Sequence, residues 1–308
     1  MRFTIFKLVV GLLVLGVLST TASSAIVTYH LGNSLTGNLI SHSNLPELAT
    51  SGNQEAWIVK HQIRGSSSLT SYVNTPLLPT DQISAPGPWP QQFATEKFNA
   101  LFLQPFYGPT IREEIQAAQQ MISQFKANSD NTSARILVYA TWGLNTASNP
   151  FQPTWKRQDF TLDSPFEPSE LTYRLFMQEL RLTVPEAELI PAGHVFNAVL
   201  DRVDSPGGLP GLTSATQLIG DGLHATNAGS YLASLTAYSV IYGQSPVGLD
   251  YTASFTDPRF GYLLPSSAVP IVQEMTWDVV RSVPEPNSIF MVMLAMGSYH
   301  GCTRRRRS

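Results

Sequence analysis

Short apolar runs alternate with amphipathic stretches along most of the chain, and that alternation sets the expected elements. Residues 26–31 and 56–63 read as strands. The fully apolar runs 98–103 and 136–140 have the length of buried strands, and 187–191 is a candidate fifth. Between them, 110–125 has helical period, with Ile111, Ile115, Ala118, Ile122 and Phe125 on one face and a capping box of Thr110 and Glu113 at its start. A second helix over 169–184 lines up Tyr173, Phe176, Met177, Leu180 and Val184, and further helices are expected over 225–241 and 267–281. Strands that alternate with helices predict an α/β domain, with a central parallel sheet covered on both faces. Residues 75–90, 145–168 and 204–211, rich in Pro or Gly, are expected as loops that shape a binding face.

The two ends follow another pattern. Arg2 and Lys7 precede the apolar run 8–18, and Ser23-Ser24-Ala25 closes it, which predicts a secretory signal peptide over 1–25 cut after Ala25. The run is well short of the roughly 20 residues that span a bilayer. At the other end Val283-Pro284-Glu285-Pro286 leads into the apolar stretch 288–296 and then Arg304 to Arg307. This combination resembles the PEP-CTERM sorting signal of Gram-negative bacteria. The resemblance implies that 284–308 is read by an exosortase after export, with the arginines held at the cytoplasmic face. It further implies a periplasmic, cell-envelope or extracellular location, with membrane contact only transient and through the termini. The apolar stretch departs from the pattern in being short and followed by Tyr299, His300 and Cys302.

The remaining 26–283 is long enough for one large domain with its own core. It holds 13 basic residues against 21 acidic ones, a balance that disfavours nucleic acid, whose binding rests on cationic contacts to phosphate. The lone cysteine, Cys302, falls in the tail, so the domain is expected to use neither disulfides nor thiol chemistry. No pair of histidines has the His-x-x-x-His spacing of a zinc site. His30 and His61 fall on strands and His42 on the helix after Ser34, all as structural residues. His194, near the end of the fifth strand, should face the sheet's carboxyl edge. Asn131-Thr132-Ser133 reads as a turn.

Two segments carry candidate chemistry. The first strand runs directly into Gly32-Asn33-Ser34-Leu35-Thr36-Gly37, which puts Ser34 at a strand's carboxyl end and a helix's start. Thr36 stands where an α/β-hydrolase elbow needs glycine, so that architecture is excluded. Far along the chain, Asp221-Gly222-Leu223-His224 precedes a helix. A turn there lets the Asp221 carboxylate accept from the Nδ1 of His224 and leaves Nε2 free to take a serine proton.

Taken together, the Gly-x-Ser-Leu-Thr turn and the Asp-x-x-His turn resemble the SGNH (GDSL-like) hydrolases across nearly all of 26–283. The resemblance implies a three-layer flavodoxin-like fold and a Ser34–His224–Asp221 triad at the sheet's carboxyl edge. It also implies oxyanion donors: the N–H of Ser34, and that of Gly65 in Ile63-Arg64-Gly65-Ser66. The family's third donor comes from a Gly-x-Asn-Asp segment that this chain lacks. Leu103-Gln104-Pro105-Phe106 stands in its place, and some relatives end this strand with Leu-Gln. Gln104 is the expected donor, and Asn145 in Trp142-Gly143-Leu144-Asn145 the alternative. The expected activity is hydrolysis of acyl esters, acetyl on polysaccharide foremost and lipid or short-chain esters next, without metal or organic cofactor. Two other readings stay open: a non-catalytic surface protein that binds carbohydrate on the same scaffold, and a matrix component sorted by its tail.

Overall fold

The computed structural model describes residues 25–41, 45–84, 87–251 and 261–283. The expected sorting tail, the expected export signal apart from its last residue, and His42 lie outside the described residues. Among the described residues, six strands form one sheet: β1 (Ile26–Gly32), β2 (Trp57–Ile63), β3 (Gln82–Ile83), β4 (Ala100–Leu103), β5 (Arg135–Tyr139) and β6 (Glu188–Ile190). Their order is β3-β2-β1-β4-β5-β6. All neighbours run parallel except β2 and β3. The apolar runs of β4 and β5 are buried because helices cover both faces of the sheet.

Among the described residues the α-helices are α1 (Ser34–Ser41), α2 (Leu45–Ser51), α3 (Leu69–Asn74), α4 (Trp89–Thr95), α5 (Ile111–Ala127), α6 (Phe151–Trp155), α7 (Glu170–Leu180), α8 (Ala192–Val203), α9 (Asn227–Tyr242) and α10 (Val269–Ser282). Helices α3, α4 and α7 pack against α5, while α1, α2, α8 and α10 gather around α9. This is a three-layer, flavodoxin-like arrangement. The Thr110–Glu113 capping box is present, and the predicted apolar face of α5 is buried. Helix α9 is buried nearly all round, as the central helix of its layer must be.

Several elements differ from the sequence expectation. The stretch 75–90 holds the edge strand β3, antiparallel to β2, and the first residues of α4; 145–168 holds α6. A two-residue strand is too short for any periodicity to show. Helix α8 has no counterpart in the sequence expectation, which places a strand over 187–191 and a loop over 204–211 with no element between them. Pro191 is its N-cap and Gly193 its second residue.

One feature of the topology governs the site. From β1 the chain crosses to β2 on one side, and β4 later adds on β1's other side. The connections leaving β1 and β4 therefore diverge, and the crevice between them at the carboxyl edge is where open sheets take ligands.

Candidate active site

Ser34 opens α1 directly beyond β1. Its turn is held from below by Gln104, at the end of β4. The Gln104 Oε1 accepts from Asn33 N–H at 3.0 Å, from Thr36 N–H at 3.3 Å and from the Thr36 hydroxyl at 2.7 Å. The fit is close enough that a Cβ on Gly32 would lie 2.7 Å from Gln104 Oε1 and 2.2 Å from Thr36 Oγ1, so only glycine fits there. Asn33 closes the turn: its Oδ1 accepts from Leu35 N–H at 2.9 Å, and its carbonyl from Gly37 N–H at 3.0 Å. The N–H groups of residues 33, 35, 36 and 37 are all engaged. That of Ser34 has no acceptor among the described residues, as an anion site at a helix start requires.

The neighbouring strand brings up the second loop. Arg64 N–H donates to Gly32 C=O at 3.1 Å, and Asn33 Nδ2 donates to Ser67 C=O at 3.1 Å, so 64–67 lies along the Ser34 turn. Gly65 is exposed there, its N–H without an acceptor among the described residues, and a Cβ on it would meet nothing within 4 Å. Ser66 takes a left-handed φ of 55° to complete the bend. Arg64 is clamped by the half-buried Asp81, through Nε to Oδ1 at 2.7 Å and Nη2 to Oδ2 at 2.8 Å. Its guanidinium lies 4.4 Å from the ring centre of Tyr72, whose hydroxyl donates to Gly32 C=O at 2.7 Å. Burial works against the Asp81 carboxylate, but bonds from Arg64, Leu78 N–H and Gln62 outweigh it and hold the group below its usual range.

The third part arrives from the far end of the chain. The Nε2 of His224 is 2.8 Å from Ser34 Oγ, and its Nδ1 is 2.6 Å from Asp221 Oδ2. Asp221 Oδ1 also accepts from the N–H groups of Leu223 at 2.9 Å and His224 at 2.6 Å, which closes the turn on itself. Burial would raise the Asp221 carboxyl, yet these bonds from His224 and Leu223 bring it below its ordinary value. Both side chains stay accessible, at 36% for His224 and 61% for Asp221. Gly222 has a φ of 90°, which glycine alone adopts at little cost. Three bonds seat the turn: Trp142 Nε1 to Leu223 C=O at 2.7 Å, Asn145 N–H to Gly222 C=O at 2.7 Å, and Ala225 N–H to Asn38 Oδ1 at 3.3 Å.

The structure thus brings Ser34, His224 and Asp221 into one hydrogen-bonded chain, with the 64–67 loop beside it. It does not bring Gln104 there in donor form. Gln104 turns its oxygen to the Ser34 turn, while its Nε2 is enclosed and has no partner among the described residues. This corrects the expectation for Gln104: it supports the turn as an acceptor. Asn145 accepts from Phe151 N–H at 3.3 Å through Oδ1 and braces the Asp221–His224 turn through its backbone. His194 is at the start of α8, beyond the end of β6, edge-on to Trp155 at 5.1 Å between ring centres; burial lowers its pKa to about 4. Asn33, Arg64, Asp81 and Trp142 escaped the sequence reading. Only Asn33 and Arg64 carried any signal, as neighbours of Ser34 and Gly65.

No protein-family model matches the chain, and no curated protein matches it. Solved structures do. A DUF4886 family protein from Bacteroides uniformis ATCC 8492 superposes with a TM-score of 0.55 at 14% identity, over 84% of this chain and 96% of that one. Protein YxiM of Bacillus subtilis gives 0.46 at 13% identity, over 72% of this chain and 58% of that one. A Streptococcus pneumonia protein, provisionally described as a platelet activating factor, gives 0.40 at 15%, over 73% and 86%. The first of these shows a shared fold.

Proposed function

We propose that this chain is a serine esterase acting through an acyl-enzyme. The observation that carries the reading is the continuous chain from Ser34 Oγ through the His224 ring to the Asp221 carboxylate, with contacts of 2.8 and 2.6 Å. Ser34 Oγ attacks the ester carbonyl carbon while His224 Nε2 takes its proton. Asp221 keeps the imidazole in the tautomer that receives this proton and stabilises the resulting imidazolium, without being protonated itself. The tetrahedral oxyanion is held by the free N–H groups of Ser34 and Gly65. Collapse of this intermediate breaks the bond to the alkoxy oxygen, which leaves as the alcohol with the proton from His224. Water, deprotonated by His224, then attacks the acyl-enzyme, and the acid departs as the proton returns to Ser34.

An oxyanion donor contributes roughly 3–4 kcal/mol to lowering such a barrier, so a hole of two backbone donors suits an activated or unhindered acyl group such as acetyl. The basic, apolar start and the Pro-Glu-Pro and arginine-rich end support an exported, sorted protein whose ester lies in the envelope or outside the cell, O-acetylated polysaccharide foremost. The test is hydrolysis of p-nitrophenyl acetate by the full chain, together with covalent labelling by a fluorophosphonate. Turnover and labelling are expected in the wild type and absent in Ser34→Ala. Equal turnover in both proteins would defeat the esterase reading. Complete inertness of the wild type, with retained affinity for acetylated glycans, would favour a carbohydrate-binding scaffold; the enclosed Gln104 amide nitrogen is the observation on that side.

A further inference from the structure

Helix α5 carries a fully buried carboxylate, Glu114, that the proposed reaction does not use. Its Oε1 accepts from Thr70 N–H at 2.9 Å and the Thr70 hydroxyl at 2.8 Å. Its Oε2 accepts from Leu69 N–H at 3.1 Å and Phe106 N–H at 3.0 Å. Leu69 and Thr70 start α3, which follows the Gly65 loop. Phe106 lies two residues beyond Gln104. These segments leave β2 and β4, the strands on either side of β1, whose own loop carries Ser34. A single carboxylate therefore ties together the two walls of the crevice that contains the nucleophile.

We propose that Glu114 is a positioning residue of this site: by bridging Leu69–Thr70 and Phe106 it sets the spacing between the Gly65 loop and the Gln104 support, and so the aim of the Gly65 N–H at the oxyanion. This rests on the esterase reading and deepens it. The position suits an anionic bridge, since Glu114 lies in the first turn of α5, at the positive end of the helix. Burial raises its carboxyl and the four donors oppose that rise, so loss of any one leaves a buried carboxyl short of partners. The chemistry tolerates little error in aim: misplacement by about 1 Å costs on the order of 100-fold in rate.

The test uses the full chain with Glu114→Gln and Thr70→Val. Glu114→Gln turns one donor group toward backbone N–H groups that need an acceptor. It is expected to lower kcat on p-nitrophenyl acetate by about 10- to 100-fold. KM should stay within about 2-fold, fluorophosphonate labelling should slow in step with kcat, and circular dichroism should remain native. Amide hydrogen exchange at Leu69, Thr70 and Phe106 should accelerate in the same variant. Thr70→Val removes one bond of the four and should shift each readout the same way by a smaller factor, and it decides the matter if Glu114→Gln does not fold. A folded Glu114→Gln with wild-type kcat, or with unchanged exchange at the three amides, overturns the bridge and leaves the esterase reading intact. A wild type that neither turns over nor labels overturns that reading instead, and with it the catalytic meaning of Glu114.

Discussion

Trp142 donates its indole N–H to the carbonyl of Leu223 at 2.7 Å, and so seats from beneath the turn that presents His224 to Ser34. The ring is fully buried and stacks on Phe196 with 4.4 Å between centres. Trp142→Phe keeps most of the stack and deletes the bond, which costs about 1 kcal/mol of stability. The loss in kcat/KM should exceed the loss in folded protein, because the affected carbonyl belongs to the Asp221–His224 turn. Comparing the denaturation midpoint with ester kinetics checks this, and a purely proportional loss would show that the bond only stabilises the fold.

Gln104 offers a separate test of its reassigned role. Gln104→Met preserves length and removes the acceptor, leaving the N–H groups of Asn33 and Thr36 without their partner. Buried donors left unpaired cost about 1–3 kcal/mol, so the variant should be clearly less stable and slow. If Gln104 served only as an oxyanion donor, the same change would slow catalysis and leave the thermal midpoint in place.

Gly65→Ala separates packing from chemistry. The added Cβ meets no atom within 4 Å, and Gly65 is not among the residues with positive φ. Stability should stay within about 0.5 kcal/mol. The new methyl nevertheless stands beside an N–H proposed to face the substrate, and kcat/KM should fall about 10-fold or more. Unchanged kinetics would remove Gly65 from the oxyanion hole.

Two imidazoles, the buried His30 and the half-buried His194, should contribute strongly to the pH dependence of stability. His30 is fully enclosed, with Nε2 2.9 Å from Thr28 Oγ1 and its ring stacked on Phe102 at 3.9 Å; burial first, then nearby His61, lowers its pKa from 6.5 to about 3. Burial lowers His194 to about 4. Both folded-state values lie below the unfolded one, so the contribution of each is fully present above pH 6.5 and is lost as pH falls toward its folded value. Unfolding free energy should therefore decline between pH 6.5 and 4 with a slope approaching two protons. His30→Gln should remove about one of them. An unaltered slope in that variant would mean that His30 is already charged in the folded protein.

The alternation of apolar runs and amphipathic stretches was enough for the parallel strands, the capped start of α5 and the central helix α9, because burial on one or both sides leaves a local periodic trace. Ser34, Asp221 and His224 were legible for a similar reason. Each stands in a tight turn whose shape depends on adjacent residues, and Gly32 and Gly222 mark those turns. What the residues touch across space left no such trace. Asp81 lies 17 positions from Arg64, Trp142 81 from Leu223, and His224 190 from Ser34. Their meeting depends on strand order and on the divergence of the chain at β1. For the same reason only the tertiary structure could decide that Gln104 turns its oxygen to the nucleophile turn. An amide offers both a donor and an acceptor, and only its neighbours choose between them.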